Sequence, residues 1–404
     1  MKRLFNRTVA ALVAAGLALG SASDGLAQGP GMPASPLAGG RAAAAGGAYM
    51  DVNGNPIVMP ASYGQPGMGG YGQMCPDACG YDGGGGADFG GYSSPDQCGP
   101  HYFDIAVQGV VLTSEDAFED VPPFGAIGIG GAPILDADST FDDNEVGWQI
   151  ALRYDLGPLS VLEATYMGLY DIGFNEQVFS TAVSPNGANF NLTSVFSDFD
   201  QAPGGSIDGL SQGSIYTLDY QSDLQSTEFS YRRYWVGYNP RISGTYLAGF
   251  RHVRQTEDLN FDAVALLGNS NIEWNAENDI VGGQLGGDAW ICLRQGLRLG
   301  TEAKFGVYNN RFKFDRATSI PDPDIDNVDF STDGNQIAFV GETTIDLVAD
   351  ILPSVSIRGG YRVLYLNSLV TVGNNIDLDL TSTAVNTQAD SVYNGFHGGI
   401  EYIW

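Results

Sequence analysis

The sequence predicts an all-β chain: a closed antiparallel transmembrane β-barrel of about ten strands, with eight to twelve compatible, over residues 101–404. Three observations predict it. Segments of about ten to thirteen residues alternate greasy and polar positions, tight Pro/Gly turns alternate with long polar loops, and the chain ends on an aromatic residue inside such a segment.

Lys2, Arg3 and Arg7 precede the apolar run Thr8 to Gly20 and small residues through Ala27. That is the order of a secretory signal peptide, 1–27, with the mature chain starting near Gln28. The run is shorter than the roughly 20 residues a spanning helix needs. No Cys follows it in the small-residue stretch, so a lipoprotein cleavage site is not supported. No later window holds about 18 consecutive apolar residues, so any membrane passage uses strands. Residues 28–100 are dominated by Gly, Pro, Ala, Ser and Tyr, a composition that reads as a disordered periplasmic tail or a tether to the cell envelope. Of four cysteines, Cys75, Cys79 and Cys98 lie in this tail and Cys292 in the barrel. One disulfide among the first three, with a thiol spare, suits an exported chain, and C-x-x-x-C is too loose for a zinc site.

The formal charge of −29, from 18 Lys and Arg against 47 Asp and Glu, argues against nucleic acid and anionic lipid as partners. It suits either solubility by charge or divalent-cation binding at a cell surface.

Beyond Pro100, Val146, Trp148, Ile150, Leu152, Tyr154 and Leu156 alternate with Gly147, Gln149, Ala151, Arg153 and Asp155. One face is greasy and the other polar or small, the two-residue period of a strand. The same alternation recurs in Leu297 to Asn309 and Val355 to Leu366. Ten such segments occur: 102–113, 145–156, 159–170, 227–238, 242–254, 278–294, 297–309, 335–351, 355–367 and 392–404. Gly157-Pro158, Asn239-Pro240, Gln295-Gly296 and Leu352-Pro353-Ser354 read as tight turns. The stretches 114–144, 171–226, 255–277, 310–334 and 368–391 read as long polar loops, and 171–226 has room for another hairpin near Gly213 to Tyr220. Short turns facing the periplasm and long loops facing outside are the rhythm of an outer-membrane barrel, with outer-membrane lipid as its solvent.

Aromatic residues fall at both ends of the greasy face: Tyr154, Tyr238, Tyr402 and Trp404 on the turn side, and Trp148, Tyr170, Phe250, Tyr365 and Phe396 on the loop side. Two girdles place amphipathic rings at headgroup depth. The last segment carries Val392, Phe396, Ile400, Tyr402 and Trp404 on one face, a terminal-strand signal of the kind read by the outer-membrane assembly machinery.

With the strands placed, the chain resembles a family of β-barrel porins found mainly in planctomycete-type bacteria, sometimes numbered family seven. The resemblance rests on Tyr231-Arg-Arg-Tyr-Trp235-Val-Gly, Gly282-Gly-Gln-Leu-Gly-Gly-Asp288-Ala-Trp290, Leu297-Arg-Leu-Gly300-Thr-Glu302-Ala-Lys304, Leu352-Pro-Ser-Val-Ser-Ile-Arg358-Gly-Gly-Tyr361 and Gly398-Gly-Ile-Glu401-Tyr-Ile-Trp404. It implies an outer-membrane barrel and a pore, and it carries no catalytic motif.

The polar face assigns Arg153, Glu163, Arg232, Arg251, Asp288, Arg294, Arg298, Glu302, Lys304, Glu342, Asp346, Arg358, Arg362, His397 and Glu401 to the lumen. Counting from the turns sets Arg358 level with Glu401, and Asp346 between Arg358 and Arg362. Such charges must be paired or wet. A narrow barrel would be filled by them, and a wider one would keep a mixed-charge constriction.

The three histidines, His101, His252 and His397, fit no nucleophile or metal-ligand spacing, so the chain reads as non-enzymatic. Asp322, Asp324, Asp326, Asp329 and Asp333 are spaced as in a calcium loop, but Asn327 stands where that loop requires Gly, and strands flank it. A divalent cation such as calcium is the only cofactor suggested, with a solvated acidic loop as the alternative. Two functions follow: porin-like passage of small polar solutes, or a non-conducting structural or surface-interaction barrel whose acidic loops bind divalent cations or surface partners.

Overall fold

The computed structural model describes residues 103–403 except 116–117, 119–120, 129–131, 138–144, 158, 181–190, 201–206, 237–240, 324–326, 328 and 353. The signal peptide, the tail with its three cysteines, Tyr238, and Trp404 of the assembly signal lie outside the described residues. Cys292 is disulfide-bonded.

Ten long strands form one antiparallel ring: β1 (Phe103–Glu115), β4 (Glu145–Gly157), β5 (Ser160–Phe179), β7 (Gly213–Val236), β8 (Ile242–Ala265), β9 (Gly268–Arg294), β10 (Leu297–Ser319), β11 (Phe330–Leu352), β12 (Val355–Leu369) and β13 (Ala389–Ile403). The seam is β1 against β13, paired from Asp104↔Ile403 to Glu115↔Val392. Closure gives every spanning strand two neighbours, which a chain in lipid requires because no water can satisfy a free edge. Three short strands, β2 (Gly125–Ile127), β3 (Pro133–Leu135) and β6 (Leu192–Ser194), lie in the long connections and pair with one another, with β6 joined to β7 at Gly213.

The outward face of the ring is apolar from the turns up to the level of Phe250 and Phe396. Val107, Trp148, Leu152, Leu285, Phe305, Ile345, Ile357 and Ile400 are exposed there, and Phe250 and Phe396 are about 70 % and 69 % exposed. The expected girdle residues Tyr154, Tyr402, Trp148, Tyr170 and Tyr365 also point outward. Facing inward on the same strands are buried arginines and carboxylates. A barrel greasy outside and ionic inside is stable only with lipid around it, and the chain is an outer-membrane β-barrel. No helix of the described residues is long and apolar enough to cross a membrane.

The strands run further than the alternation predicts. Between β8 and β9 only Leu266 and Leu267 remain as a turn, where a loop over 255–277 is expected, and β10 and β11 absorb most of 310–334. The segment Gly213 to Tyr220 is no extra spanning hairpin. It prolongs β7, where Ile215 to Ser222 pair with Ile172 to Phe179, which prolong β5. The reason is an inversion of pattern. On β8, outward Tyr246 and Phe250 give way to Arg254, Asp258 and Asp262, while inward Arg251 gives way to Val253, Leu259 and Phe261. Below the inversion the strand faces lipid, and above it water. The periodicity is unbroken while the identity of the greasy face changes, so a template that tracks only the lipid face reads these stretches as loop.

With the loops outside, a cysteine placed at exposed Asp379 should react with an impermeant thiol reagent on intact cells, and one at exposed Gln295 in the β9–β10 turn should not. The opposite labelling pattern would reverse the orientation.

Candidate functional site in the barrel interior

Strand parity brings the predicted lumen residues together. Arg153, Glu163, Arg232, Arg251, Asp288, Arg298, Lys304, Glu342, Asp346, Arg358, Arg362, His397 and Glu401 are buried inside the ring, and Glu302 is nearly so. Arg294 is the exception. It is exposed at the turn, where a bulge between Leu297 and Arg298 breaks the count.

The charges form one linked layer. Arg153 donates from Nε to Glu163 Oε2 at 2.6 Å and from Nη1 to Glu401 Oε1 at 2.5 Å. Glu163 also accepts from Arg232 Nη2 at 2.5 Å, and Arg232 reaches Glu302 at 2.7 Å and Asp288 at 3.0 Å. Lys304 Nζ donates to Glu228 at 3.0 Å and stands 3.6 Å from Glu302 and 3.7 Å from Glu342. Glu342 in turn accepts from Arg251 Nη1 at 2.7 Å and lies 3.4 Å from Arg362. A second group is nearer the turns. Arg358 makes a two-pronged pair with Asp346 at 3.0 and 2.8 Å, His397 Nε2 sits 2.7 Å from the same carboxylate, and Arg298 pairs with Asp350 at 3.0 Å. The indole of Trp290 lies beneath Arg298 and Arg358, with centroids 6.0 and 5.7 Å away, a cation–π arrangement.

The expected level pairing of Arg358 with Glu401 is incorrect. The β12–β13 register sets Ser356 opposite Glu401 and Arg358 opposite Gly399, so Glu401 turns across the seam to Arg153. Asp346 does lie opposite Gly360, between Arg358 and Arg362, as counted. Glu228 is a lumen residue that the predicted set lacks. It shares the parity of Ser230 and Arg232 on β7, a signal sufficient to find it.

Little space remains. One cavity among these side chains, bounded by Gln108, Gln149, Arg153, Glu163, Arg358 and their neighbours, leaves about 20 Å3 for water, and another, at Met167, Ser226 and Arg251, leaves about 0 Å3. That is room for about one water molecule. Above the charges Val110, Leu112, Met167, Leu169, Leu224, Val253, Ile280, Tyr308, Val340 and Leu364 form an apolar layer drawn from strands around the ring. Higher still, Phe118, Phe124, Phe174, Phe196, Tyr216, Tyr220, Phe261, Trp274 and Phe314 fill the mouth, with Phe196 stacked on Trp274 at 5.8 Å.

One connecting segment is laced into this cap. The backbone of Ser368 to Val372, the end of β12 and the residues after it, is buried, and wall side chains satisfy polar groups of Ser368, Val370 and Val372. Asn278 donates to Val370 O at 2.7 Å and accepts from Val370 N at 2.9 Å, Asn310 and Gln336 donate to Ser368 O, and Glu257 Oε2 accepts from Val372 N at 2.7 Å. Glu257 stands seven residues above Phe250, beyond the apolar belt. Its other oxygen accepts from Gln255, which also donates to the Tyr393 hydroxyl, and the charge of Asp258 acts on it. Burial raises the Glu257 carboxyl to about 7.

The calcium-loop carboxylates do not converge where they are described. Asp322 accepts from the Asp208 N–H at 2.9 Å, and Asp333 is a β11 residue opposite Lys313. Asp329 is exposed, and Asp324 and Asp326 lie outside the described residues. Among the described residues no group of three or more His, Cys, Asp or Glu is arranged to hold a metal.

No family model and no curated protein matches the chain. Solved structures of similar shape include the outer membrane protease OmpT from Escherichia coli, at 12 % identity and TM-score 0.42, covering 75 % of this chain and 97 % of that one. A major outer membrane protein from Thermus thermophilus is 10 % identical at TM-score 0.29, covering 75 % and 100 %. The Ralstonia pickettii toluene transporter TbuX is 12 % identical at TM-score 0.30, covering 85 % and 87 %. Similarity at this level carries no argument about activity.

Glu163 is shared by two guanidinium groups, so Glu163→Gln should destabilise the refolded barrel by on the order of 3–5 kcal/mol in urea unfolding, the loss for breaking a buried pair. Glu401→Gln should cost less, because Arg153 keeps Glu163. Equal stability of wild type and Glu163→Gln would mean the layer is wet. For Glu257, the folded-state value lies above the ordinary carboxylate range, so its contribution is fully favourable below pH of about 4.5 and is lost as pH rises through about 7. Intrinsic-rate-corrected hydrogen exchange at Val372 should therefore be faster at pH 8 than at pH 5.5, and Glu257→Gln should abolish the difference.

Proposed function

We propose that this protein is a non-conducting, non-enzymatic outer-membrane barrel, a rigid platform that holds a folded polar wall and cap above the membrane for contact with surface partners. The observation that carries the reading is the three-tier filling of the lumen: a neutralising ion layer, an apolar layer across the ring, and an aromatic mouth sewn to Ser368–Val372. An ion crossing this path would have to break buried pairs and then enter hydrocarbon, a step that costs several kcal/mol even with relaxation.

Porin-like passage of small polar solutes is the second reading. It draws on the resemblance to the planctomycete-type porin family and on the cap being held at Ser368–Val372 by hydrogen bonds, one of them to the titratable Glu257. Planar-bilayer recording of the refolded protein separates the two. We expect no stable conductance steps at pH 5.5 or pH 8. Reproducible steps at either pH would overturn the closed platform, and steps at pH 8 alone would make Ser368–Val372 a gate.

A further inference from the structure

The wall formed by β5, β7, β8 and β9 ends, at its loop side, in apolar residues. Phe179 on β5, Ile215 on β7 and Val264 on β8 lie in one outward cross-strand row, and Leu266 and Leu267 make the β8–β9 turn just above it. Phe179, Leu266 and Leu267 are each more than half exposed, and Val264 more than a third. Turn positions ordinarily carry Gly, Asn, Asp or Ser, and a cluster of large exposed apolar side chains marks a contact surface. The turn is also fixed, since the Leu266 N–H donates to Gln212 O at 3.2 Å. Lipid does not cover this crest. Val264 stands fourteen residues above Phe250 along β8, roughly 46 Å of strand. Residues 1–102 join the ring at its other end, through Phe103.

We propose that the crest docks a cationic polypeptide segment of a partner protein, one in which Lys or Arg flanks one or two large aliphatic anchors. The inference rests on the reading of the barrel as a platform and supplies the chemistry of its partner. Charge selects the occupant. No Lys or Arg occurs in 114–144, 171–226, 255–277 or 368–391, and the fifth loop-side stretch, 310–334, holds only Arg311, Lys313 and the buried Arg316. Outward Arg254, Arg311 and Lys313 stand low on the wall, in rows they share with Asp279, Glu277 and Asp333. The three rows between them and the crest carry Asp258 and Asp315, then Asp219 and Glu273, then Asp262, and no cation. Lys313 holds Asp315, but asparagines hold the others: Asn175 donates to Asp219 at 2.5 Å, Asn275 to Asp258, and Asn260 and Asn271 to Asp262 at 3.0 Å. An amide satisfies the oxygens and leaves their charge uncompensated. Burial, and then the charges of Glu273 and Asp223, accordingly hold the Asp258 carboxyl above its ordinary value. A second copy of this chain would bring the same sign to the same place, whereas a cationic segment meets its complement below the leucines.

The test is fluorescence anisotropy of labelled peptides with the refolded full-length protein in phosphatidylcholine nanodiscs, empty nanodiscs serving as the blank. The probe is a decapeptide of lysines around a central Leu-Leu pair, compared with decalysine and with the same peptide carrying Glu in place of Lys. We expect the probe to bind at least tenfold more tightly than either, and less tightly as salt is raised. L266S/L267S, at exposed turn positions, should lose at least fivefold and bind the probe no better than decalysine. D258N/D262N/E273Q should lose at least fivefold together with most of the salt dependence. If that triple does not fold, exposed Glu273→Gln alone should lose about twofold. Decalysine binding as tightly as the probe, or L266S/L267S behaving as wild type, would overturn the crest as the anchor site. The Glu peptide binding equally well would overturn the cationic occupant. No binding by a protein that also shows no conductance removes this inference and leaves the platform, whereas conductance removes the platform whatever the peptides do.

Discussion

The ladder between β1 and β13 is the contact on which the remaining structure depends. In hydrocarbon an open sheet edge leaves a row of unpaired N–H and C=O groups, each worth several kcal/mol, so the ten strands have no stable arrangement until Asp104 meets Ile403 and the ring shuts. Closure with ten strands then fixes a narrow bore. From that point the inward residues are confined with one another, whatever their chemistry, and the interior must be solved by pairing.

The ion layer is that solution. Seven cations, Arg153, Arg232, Arg251, Arg298, Lys304, Arg358 and Arg362, face eight carboxylates, Glu163, Glu228, Asp288, Glu302, Glu342, Asp346, Asp350 and Glu401, so the layer is close to neutral. Long side chains of both signs also need floor space, which explains glycine on the inward face. A Cβ at Gly360 would stand 2.2 Å from the Ile345 carbonyl oxygen and 2.9 Å from Asp346 Oδ1 and the His397 ring, and one at Gly300 would stand 2.4 Å from the Trp290 indole. The glycines are the recesses into which the ion pairs and their supporting indole fit.

Within the lipid belt this architecture is legible from the sequence, and outside it is not. Parity alone places Arg153, Arg232 and Asp346 inside and Phe396, Ile400 and Tyr402 outside, because the two-residue period within a strand decides which residues share a face before any partner is chosen. Partners need register, and register near a chain end shifts with a single pair. Counting from the turns accordingly sets Arg358 beside Glu401, although Ser356 holds that position and Arg153 takes the carboxylate from the other side of the seam. The mouth is less legible for a different reason. Phe261, Trp274 and Phe314 lie in segments whose outer residues are Asp, Asn and Lys, and whose composition resembles a polar loop.

The same strand thus serves two solvents, and the row at which it changes is encoded by side chains alone. On β8 the backbone ladder to β9 runs without a break from Ile242↔Ile291 to Ala265↔Gly268, so nothing in the hydrogen bonding marks the membrane surface. What changes between Phe250 and Asp258 is which face is greasy. Below, the hydrophobic effect cannot drive the interior together because the lipid outside is equally apolar, and ion pairing does that work. Above, water surrounds the wall, burial of Phe124, Phe261 and Trp274 becomes favourable, and the barrel packs as a soluble protein would. The two interiors differ, since a charge above the apolar layer needs a polar partner of its own, as Arg316 finds in Leu380 O and Ser382 O. The apolar layer of Val253, Ile280, Val340 and Leu364 lets one give way to the other.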